Sequence, residues 1–401
     1  MSSTSVEVVV VGGGPIGLTT AIALASAGVE TALVGKLART PDNRTTALLA
    51  SSVTALDTLG VWAHCRERAA PLRVMRIIDD TARLLRAPEV RFVASEIGLD
   101  AFGHNIENTH LLAALDARAR ALPALSLVED EATAVTIEGS HVTIALKQGK
   151  PVTARLAIGA DGSKSICRRA AGIATNGVGY GQTALTFNLG HARAHQDCST
   201  EFHTGGGPFT LVPLPGLRSS LVLVVTPAEA ARIAALAASE LAAEIERRSH
   251  SILGRIVPEA GRGVFPLAIE TAQRFAVARI ALVGEAAHVL PPIGAQGLNL
   301  GLRDAATIGE LVVEARRHGG DVGAADLAAR YDAARRTDVA SRTFAVDLLN
   351  RSLLSDFLPV QGMRGLGLYL LERIGLLRRA VMREGVTPAA ARPRLMRGEA
   401  L

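Results

Sequence analysis

The chain has 401 residues, more than one compact core usually holds, so a large domain, a smaller one and a C-terminal appendage are expected. Its 48% hydrophobic and 20% charged residues exclude a disordered chain and leave enough apolar surface for a large core. The net charge of +5 raises nucleic acid as a partner, but basic residues alternate with acids and aromatics make up only 3%, too few to stack bases, so no nucleic-acid binding is expected.

Cys65, Cys167 and Cys198 are odd in number and lie far apart without metal spacing, so neither a disulfide framework nor a metal site is expected, and the compartment reads as reducing. Val8 to Val29 carries no charge and is long enough to imitate a membrane span. Gly12, Gly13, Gly14 and Pro15 interrupt it and no basic segment precedes it, so the expected location is the cytoplasm, with a membrane surface as an open alternative.

In chain order, Val6 to Val11 reads as a buried parallel strand, the segment ending at Gly28 as a helix, and Thr31 to Val34 as a second strand, together a β-α-β unit. Thr45 to Leu59 is expected to be helical with Gly60 as its stop, and Thr109 to Leu122 to be another helix. Alternating segments between Leu125 and Ile158 suggest an antiparallel meander. Strands are expected again in TALTFNL, PFTLVPL and SSLVLVV between Gly181 and Val225, forming a separate sheet, followed by helix from Pro227 to Leu253. Arg279 to Val283 reads as a short buried strand, and Leu298 to Arg316 and Leu327 to Asn350 as long helices.

The first motif is Gly12-x-Gly14-x-x-Gly17 between the first strand and helix. There the chain turns tightly, a pyrophosphate approaches the backbone, and the helix N-terminus offers free N–H groups to it, all of which side chains obstruct. An acid should end the second strand and hold a ribose, yet this chain has Gly35 followed by Lys36 and Arg39. That leaves open a weaker adenosine contact, a substitute from elsewhere, or a pocket suited to the 2′-phosphate of NADP.

The second motif is Gly284-Glu285-Ala286-Ala287-His288, followed by Pro291-Pro292-Ile293-Gly294-Ala295-Gln296-Gly297-Leu298-Asn299-Leu300. It resembles the second FAD signature of the class A flavoprotein aromatic hydroxylases, most closely the ubiquinone-biosynthesis hydroxylases. In that family the acid is usually Asp; Glu285 stands here, one methylene longer. Ala160-Asp161-Gly162-Ser163, with Ser165 and Arg168, is similar to the family's DG segment, and Asp161 also suits a helix N-cap. Arg44-Thr45-Thr46-Ala47-Leu48 is similar to the segment whose arginine reaches the FAD phosphates. The resemblance runs to about residue 350 and takes in Glu107-Asn108, Pro213-Leu214-Pro215, Tyr331, Arg335, Arg336 and Asp338. Where related hydroxylases often place a tryptophan after the proline-rich strand, this chain has Leu223 or nearby aliphatics.

The resemblance implies an α/β fold: a Rossmann-like FAD domain with a mixed sheet (1–72, 98–170, 274–345), a β-sheet substrate domain (73–97, 171–273) and a C-terminal helical segment (346–401). It implies FAD held by Gly12, Gly14, Gly17, Arg44, Asp161, Gly162, Glu285, Gly294, Gly297, Leu298 and Asn299, with the Pro292 backbone near the flavin ring as the catalytic contact. NAD(P)H would reduce the flavin and dioxygen would then hydroxylate a lipophilic phenol, the cofactor supplying the hard step. His288 reads as a structural histidine rather than a base. A related reductase of prenyl chains and a non-catalytic flavin-binding assembly protein are the rival readings. In the C-terminal segment Met363, Leu366, Leu370, Ile374, Leu377 and Val381 recur at helical spacing beside several arginines, which suits a membrane surface, an acidic partner in a biosynthetic complex, or packing on the FAD domain.

Overall fold

The computed structural model describes residues 4–36, 44–81, 87–292, 295–354, 365, 367, 369–386 and 392–401, the side chains of Thr4 and 344–354 excepted. The chain enters through β1 (Thr4–Val11), α1 (Pro15–Ser26) and β2 (Thr31–Val34). Then come β3 (Thr45–Leu49), α2 (Ala50–Thr58), β4 (Ala69–Pro71), β5 (Val74–Asp79), β6 (Val90–Val93), β7 (Gly103–Glu107) and α3 (Asn108–Arg120). β8 (Leu125–Val128) leads into β9 (Ala132–Glu138), β10 (His141–Leu146), β11 (Val152–Gly159) and α4 (Ile166–Ala170).

The long strand β12 (Thr175–His191) is followed by β13 (Cys198–Thr204), β14 (Gly207–Leu214), β15 (Arg218–Val225), α5 (Pro227–Ala235), α6 (Ala238–Arg248), β16 (Ile256–Pro258) and β17 (Gly263–Ala272). The chain returns as β18 (Ala276–Val277), β19 (Ile280–Leu282) and β20 (His288–Val289), then α7 (Gln296–Arg317), α8 (Ala325–Leu354) and α9 (Gly375–Val386).

These strands make three sheets. The first has the order β18-β19-β11-β1-β2-β8, with β19, β11, β1, β2 and β8 all parallel. β1 lies inside it, which is why Val8, Val9, Val10 and Val11 form an unbroken apolar run and are all buried. Helix α1 is buried from Gly17 to Ala25 against α3 and α7, so it carries no polar face. The meander expected after Leu125 is present: β9, β10 and β11 are antiparallel, and β11 also joins the parallel core.

The second sheet runs β20-β17-β12-β15-β14-β13-β5-β6. Alternate side chains, Leu185, Phe187, Leu189, Leu221 and Leu223 among them, pack on Ala230, Ile233, Leu241 and Ile245 of α5 and α6. Leu223 therefore faces the covering helices, not the inner side of the sheet. The helix expected from Pro227 to Leu253 is two helices, because Leu236 takes extended backbone between them. β13, which has few apolar residues, was not among the expected strands.

The third sheet, β3-β7-β4, corrects one expectation. Thr45 to Leu59 is not one helix: Thr45–Leu49 is a strand paired with β7, and only Ala50–Thr58 is helical. The hydroxyls of Thr45 and Thr46 donate to Ser220 Oγ (2.8 Å) and Asn108 Oδ1 (2.6 Å), cross-links that local spacing does not reveal. Gly60 does stop the helix, at φ +74. Among the described residues, no helix is long and apolar enough to cross a membrane.

Candidate active site

Three motifs leave the C-terminal ends of three adjacent parallel strands, the edge at which ligands bind in sheets of this kind. β1 runs into Gly12, β11 into Ala160-Asp161-Gly162, and β19 into Gly284. The Ala160 N–H donates to Val11 O at 2.7 Å and the Val283 N–H to Gly159 O at 2.9 Å, so the three turns are locked in register.

The glycines of the first turn divide into two kinds. A Cβ on Gly12 would lie 2.2 Å from Ala160 O, on Gly13 2.6 Å from Lys36 O, and on Gly17 1.9 Å from Gly12 O, so these three allow close backbone packing. Gly14 is different: a Cβ there meets nothing within 4 Å. It is the N-cap of α1, which has no side-chain cap, so the first N–H groups of the helix face open space. Gly297 in the first turn of α7 and Gly162 (φ +77) are equally open. Two uncapped helix starts fronted by glycine on one sheet edge fit a dinucleotide carrying phosphates.

Gly35 occupies the end of β2 where an acid was expected, and its own Cβ would lie 2.4 Å from Gly13 N. Lys36 points along the surface to Glu131, Nζ to Oε2 2.9 Å. Arg39 lies outside the described residues.

Glu285 sits in a short turn at Gly284–Ala286, exposed and without a hydrogen bond among the described residues, so its carboxylate is available to a ligand. Asp161 is more occupied. Its Oδ2 accepts the N–H groups of Ile166 (2.7 Å) and Cys167 (3.2 Å) at the start of α4, although the N-cap there is Ser165 and not Asp161 as the sequence suggested, while Oδ1 is buried without a partner among the described residues. The Arg44 guanidinium stacks over the Phe265 ring, 5.4 Å from its centre, which brings the start of β3 against β17. Pro292 is exposed just past β20. Gly294 lies outside the described residues, and Leu298 is half-buried against the main core.

Asn299 has its side chain fully engaged within the protein. Its Oδ1 accepts from Leu49 N (2.9 Å), and its Nδ2 donates to Ala47 O (2.8 Å) and Ala295 O (2.6 Å). It clips β3 to the start of α7 and holds Ala295, a non-glycine residue at φ +56.

Arg168 ties the second and third motifs together. Its guanidinium donates to Ala286 O (2.9 Å), to Ser163 O (2.6 Å) and to Glu270 of β17 (3.3 Å). The residue that sequence reasoning missed is Asp304, fully buried in α7. It accepts from Gly284 N (2.9 Å), His288 Nε2 (2.7 Å) and Arg335 Nε (2.6 Å). Burial opposes its ionisation, but the His288 and Arg335 charges and these hydrogen bonds prevail and hold the carboxyl below its ordinary range. Arg335 continues to Asp338, which also takes Arg303 and Arg342. The signal for this network was present: Arg303-Asp304 is the only charged pair in the apolar opening turns of α7. His288, with its side chain wholly enclosed, is a structural member of the network, as expected.

A glycine-fronted edge of a parallel sheet, with a second, mostly antiparallel sheet beside it, has the architecture of a dinucleotide-binding enzyme, and comparison with known proteins specifies a flavoprotein. The family described as FAD binding domain matches residues 5–345. The ubiquinone hydroxylase UbiL of Rhodospirillum rubrum is 37% identical, with 98% of this chain and 92% of that protein covered. The 3-demethoxyubiquinol 3-hydroxylase of Escherichia coli is 31% identical, with coverage of 96% and 99%. Among solved structures, the p-nitrophenol 4-monooxygenase of Pseudomonas putida superposes with a TM-score of 0.79 at 18% identity, covering 97% of this chain and 100% of that one. The chain belongs to the FAD-dependent aromatic hydroxylases, in the branch of the ubiquinone-biosynthesis hydroxylases, and is an aromatic-ring monooxygenase with FAD as its cofactor.

Proposed function

We propose that this protein uses NAD(P)H and dioxygen to hydroxylate the ring of a lipophilic, polyprenyl phenol in ubiquinone biosynthesis. The printed names of the two relatives, a ubiquinone hydroxylase and a demethoxyubiquinol hydroxylase, support the pathway. The observation that carries the substrate class is the inner face of the second sheet. Ala184, Thr186 and Asn188 pair with Val224, Val222 and Ser220, and directly paired residues share a face. That face looks toward the FAD side, because Ser220 Oγ meets Thr45 Oγ1 (2.8 Å) and Asn105 Nδ2 (3.2 Å). It combines the aliphatic Ala184, Val222 and Val224 with Thr186, Asn188 and Ser220, and two of its buried polar atoms, Thr186 Oγ1 and Asn188 Oδ1, have no partner among the described residues. Aliphatic side chains beside unpartnered polar atoms suit a phenol ring carrying a hydrocarbon tail.

In this reading residues 1–72, 98–170 and 274–345 hold FAD, 73–97 and 171–273 cover the substrate, and 346–401 form the C-terminal segment. Gly12, Gly14 and Gly17 admit the pyrophosphate to the start of α1, with Arg44 as its counter-charge. Glu285 takes the ribityl hydroxyls, and the Asp161-Gly162 turn shapes the floor beside it. Gly294, Gly297 and Leu298 present the α7 N-terminus to the flavin's pyrimidine edge, where a positive dipole end favours negative charge. Asn299 holds that loop in place, and Pro292 offers its backbone to the ring. Bound FAD supplies the electron transfer between NAD(P)H and dioxygen. The chain's own task is to orient the ring and exclude water, with Ala184, Val222 and Val224 as the apolar part of that face.

The test is incubation of the FAD-loaded protein with NADH or NADPH and a panel of prenylated phenols, with mass analysis of products. A product one oxygen atom heavier is expected; NAD(P)H oxidation yielding only hydrogen peroxide across the panel would overturn the substrate class. Glu285→Ala should weaken FAD binding by roughly one to two decades, the worth of one hydrogen bond between a charged group and a hydroxyl. An unchanged dissociation constant in a fluorescence titration would show that Glu285 points elsewhere. Thr186→Val should leave thermal stability intact and raise KM roughly two- to tenfold, the loss of one neutral hydrogen bond. If KM is unmoved, the Thr186 hydroxyl does not meet the substrate.

A further inference from the structure

On the inner face of the second sheet, satisfied and unsatisfied polar atoms sit side by side. Ser220 Oγ is served within the protein, by Thr45 Oγ1 at 2.8 Å and Asn105 Nδ2 at 3.2 Å. Its pairing partner on β12, Asn188, is served at one end only. The Asn188 Nδ2 donates to Glu107 Oε1 at 3.1 Å, while Oδ1 is buried without a partner among the described residues. With the residue 3% exposed, that oxygen is shut off from bulk solvent and carries the cost of an unmade hydrogen bond.

Glu107 explains why the amide stands this way round. Asn105 and Glu107 lie two residues apart on β7 and so project to one side, where they reach the paired residues Ser220 and Asn188. The Glu107 carboxylate also accepts from Arg218, Nη2 to Oε1 and Nη1 to Oε2, each at 3.1 Å. Arg218 is anchored in turn by Glu259, at 2.6 Å from Nε and 2.8 Å from Nη2. A carboxylate paired with a guanidinium offers acceptors alone, whereas an amide has donors at one end and an acceptor at the other. Facing Glu107, Asn188 therefore turns its NH2 to the carboxylate, and its carbonyl oxygen is left on the other side. The reversed amide would set two acceptor oxygens against each other.

We infer that Glu107 is a positioning residue that sets substrate specificity: by holding the Asn188 amide in one orientation it makes this part of the inner face an acceptor, which selects a ring with a free hydroxyl over the same ring with that oxygen methylated. That the ring lies on this face rests on the proposed function; the direction of the amide rests on Glu107 and Arg218. A free hydroxyl donates to Asn188 Oδ1 and completes the bonding of the amide. A methyl ether brings a second acceptor and leaves Oδ1 unpaired. A site built to hydrogen-bond a hydroxyl rejects an analogue that lacks it far more strongly than an apolar pocket rejects one methylene.

The experiment measures binding to the full-length, FAD-loaded protein as a change in the flavin absorption spectrum, with 2-geranylphenol and its O-methyl ether as probes. The wild type should bind the phenol roughly ten- to hundredfold more tightly than the ether, the range set by one buried acceptor left unpaired. Glu107→Gln keeps the size of the side chain but offers a donor as well as an acceptor, so the amide is free to turn. The preference should fall toward parity, through weaker phenol binding and tighter ether binding together. A purely structural role would not do this, since a loosened site weakens both. Asn188→Ala should also remove the preference, and adding Glu107→Gln to it should change the ratio no further, because the two residues act as one unit. A Glu107→Gln protein that keeps the wild-type preference overturns the inference. Wild type and Asn188→Ala decide it even if that variant does not fold: equal binding of the two probes by the wild type overturns it, as does a preference that survives Asn188→Ala and is lost in Thr186→Val. Equal binding leaves the hydroxylase reading standing, whereas a flavin that neither probe disturbs overturns both.

Discussion

Gly14→Val should give a folded but colourless protein. The backbone at Gly14 is extended, φ −79 and ψ 178, a conformation any residue adopts, and a Cβ there meets no protein atom within 4 Å. The valine methyls instead occupy the space in front of the first N–H groups of α1. A pyrophosphate loses those donors, and at about 1.5–3 kcal/mol for each hydrogen bond to a charged group, two lost bonds weaken FAD binding by roughly two to four decades. Gly12→Ala and Gly17→Ala should behave otherwise. Their Cβ atoms would lie 2.2 and 1.9 Å from backbone oxygens, so the turn itself must move and the melting temperature falls. Flavin titration and a thermal melt on all three variants separate the cases. If Gly14→Val binds FAD like the wild type, the pyrophosphate does not lie against α1.

Asp304→Ala should cost about 3–5 kcal/mol of stability, the usual penalty for removing one partner of a buried ion pair. That is a large share of the roughly 5–15 kcal/mol that holds most domains folded. The loss leaves Arg335 Nε, His288 Nε2 and the Gly284 N–H without their shared acceptor, all inside the protein, while Arg335 keeps its bond to Asp338. Asp304→Asn keeps one acceptor and should cost less. The pH dependence has a definite sign. A carboxyl held below its ordinary value stabilises the fold above the unfolded pKa of about 4 and loses that contribution as pH falls through the folded value. The stability gap between wild type and Asp304→Asn should therefore be constant at neutral pH and narrow in acid. Urea denaturation at several pH values measures it, and a gap that widens in acid would mean the carboxyl is protonated in the fold. A loosened Gly284 turn should also weaken FAD binding.

The strand–turn–helix placement of the glycine motifs was legible because it is local. Gly12, Gly14, Gly17, Gly284 and Gly297 act within a strand, a turn and a helix start that are contiguous in the chain. What could not be read depends on partners far away in sequence. Thr45 and Thr46 look helical beside Ala47 and Leu48, but pairing with Gly103–Glu107 and bonds to Ser220 and Asn108 make them a strand. The use of Asn299 as a clip needs Ala47 and Leu49, and Asp304 needs Arg335. Thr186 carries no local mark at all; it stands out only once its sheet face and its unpartnered hydroxyl are known. Of the C-terminal apolar stripe, Met363 and Leu366 lie outside the described residues, and Ile374, Leu377 and Val381 are exposed; the covered residues of α9 are Met382 and Val386, which only Phe92 and Phe102, distant in sequence, decide.

Gly35 bears on how this flavin site can change. A carboxylate at that position would serve the adenosine ribose, yet no single substitution can supply it, because any side chain there drives its Cβ to 2.4 Å from Gly13 N. Gly35→Glu should thus loosen FAD rather than tighten it. Gly13, confined in turn by Lys36 O at 2.6 Å from its own Cβ position, cannot retreat without taking the end of β2 along. The two glycines are mutually entrenched: a lineage carrying this pair reaches the acidic version of the turn only by remodelling both chain segments together. A designer seeking tighter flavin retention does better to start from Glu285 and the mouth of α7 than from the end of β2.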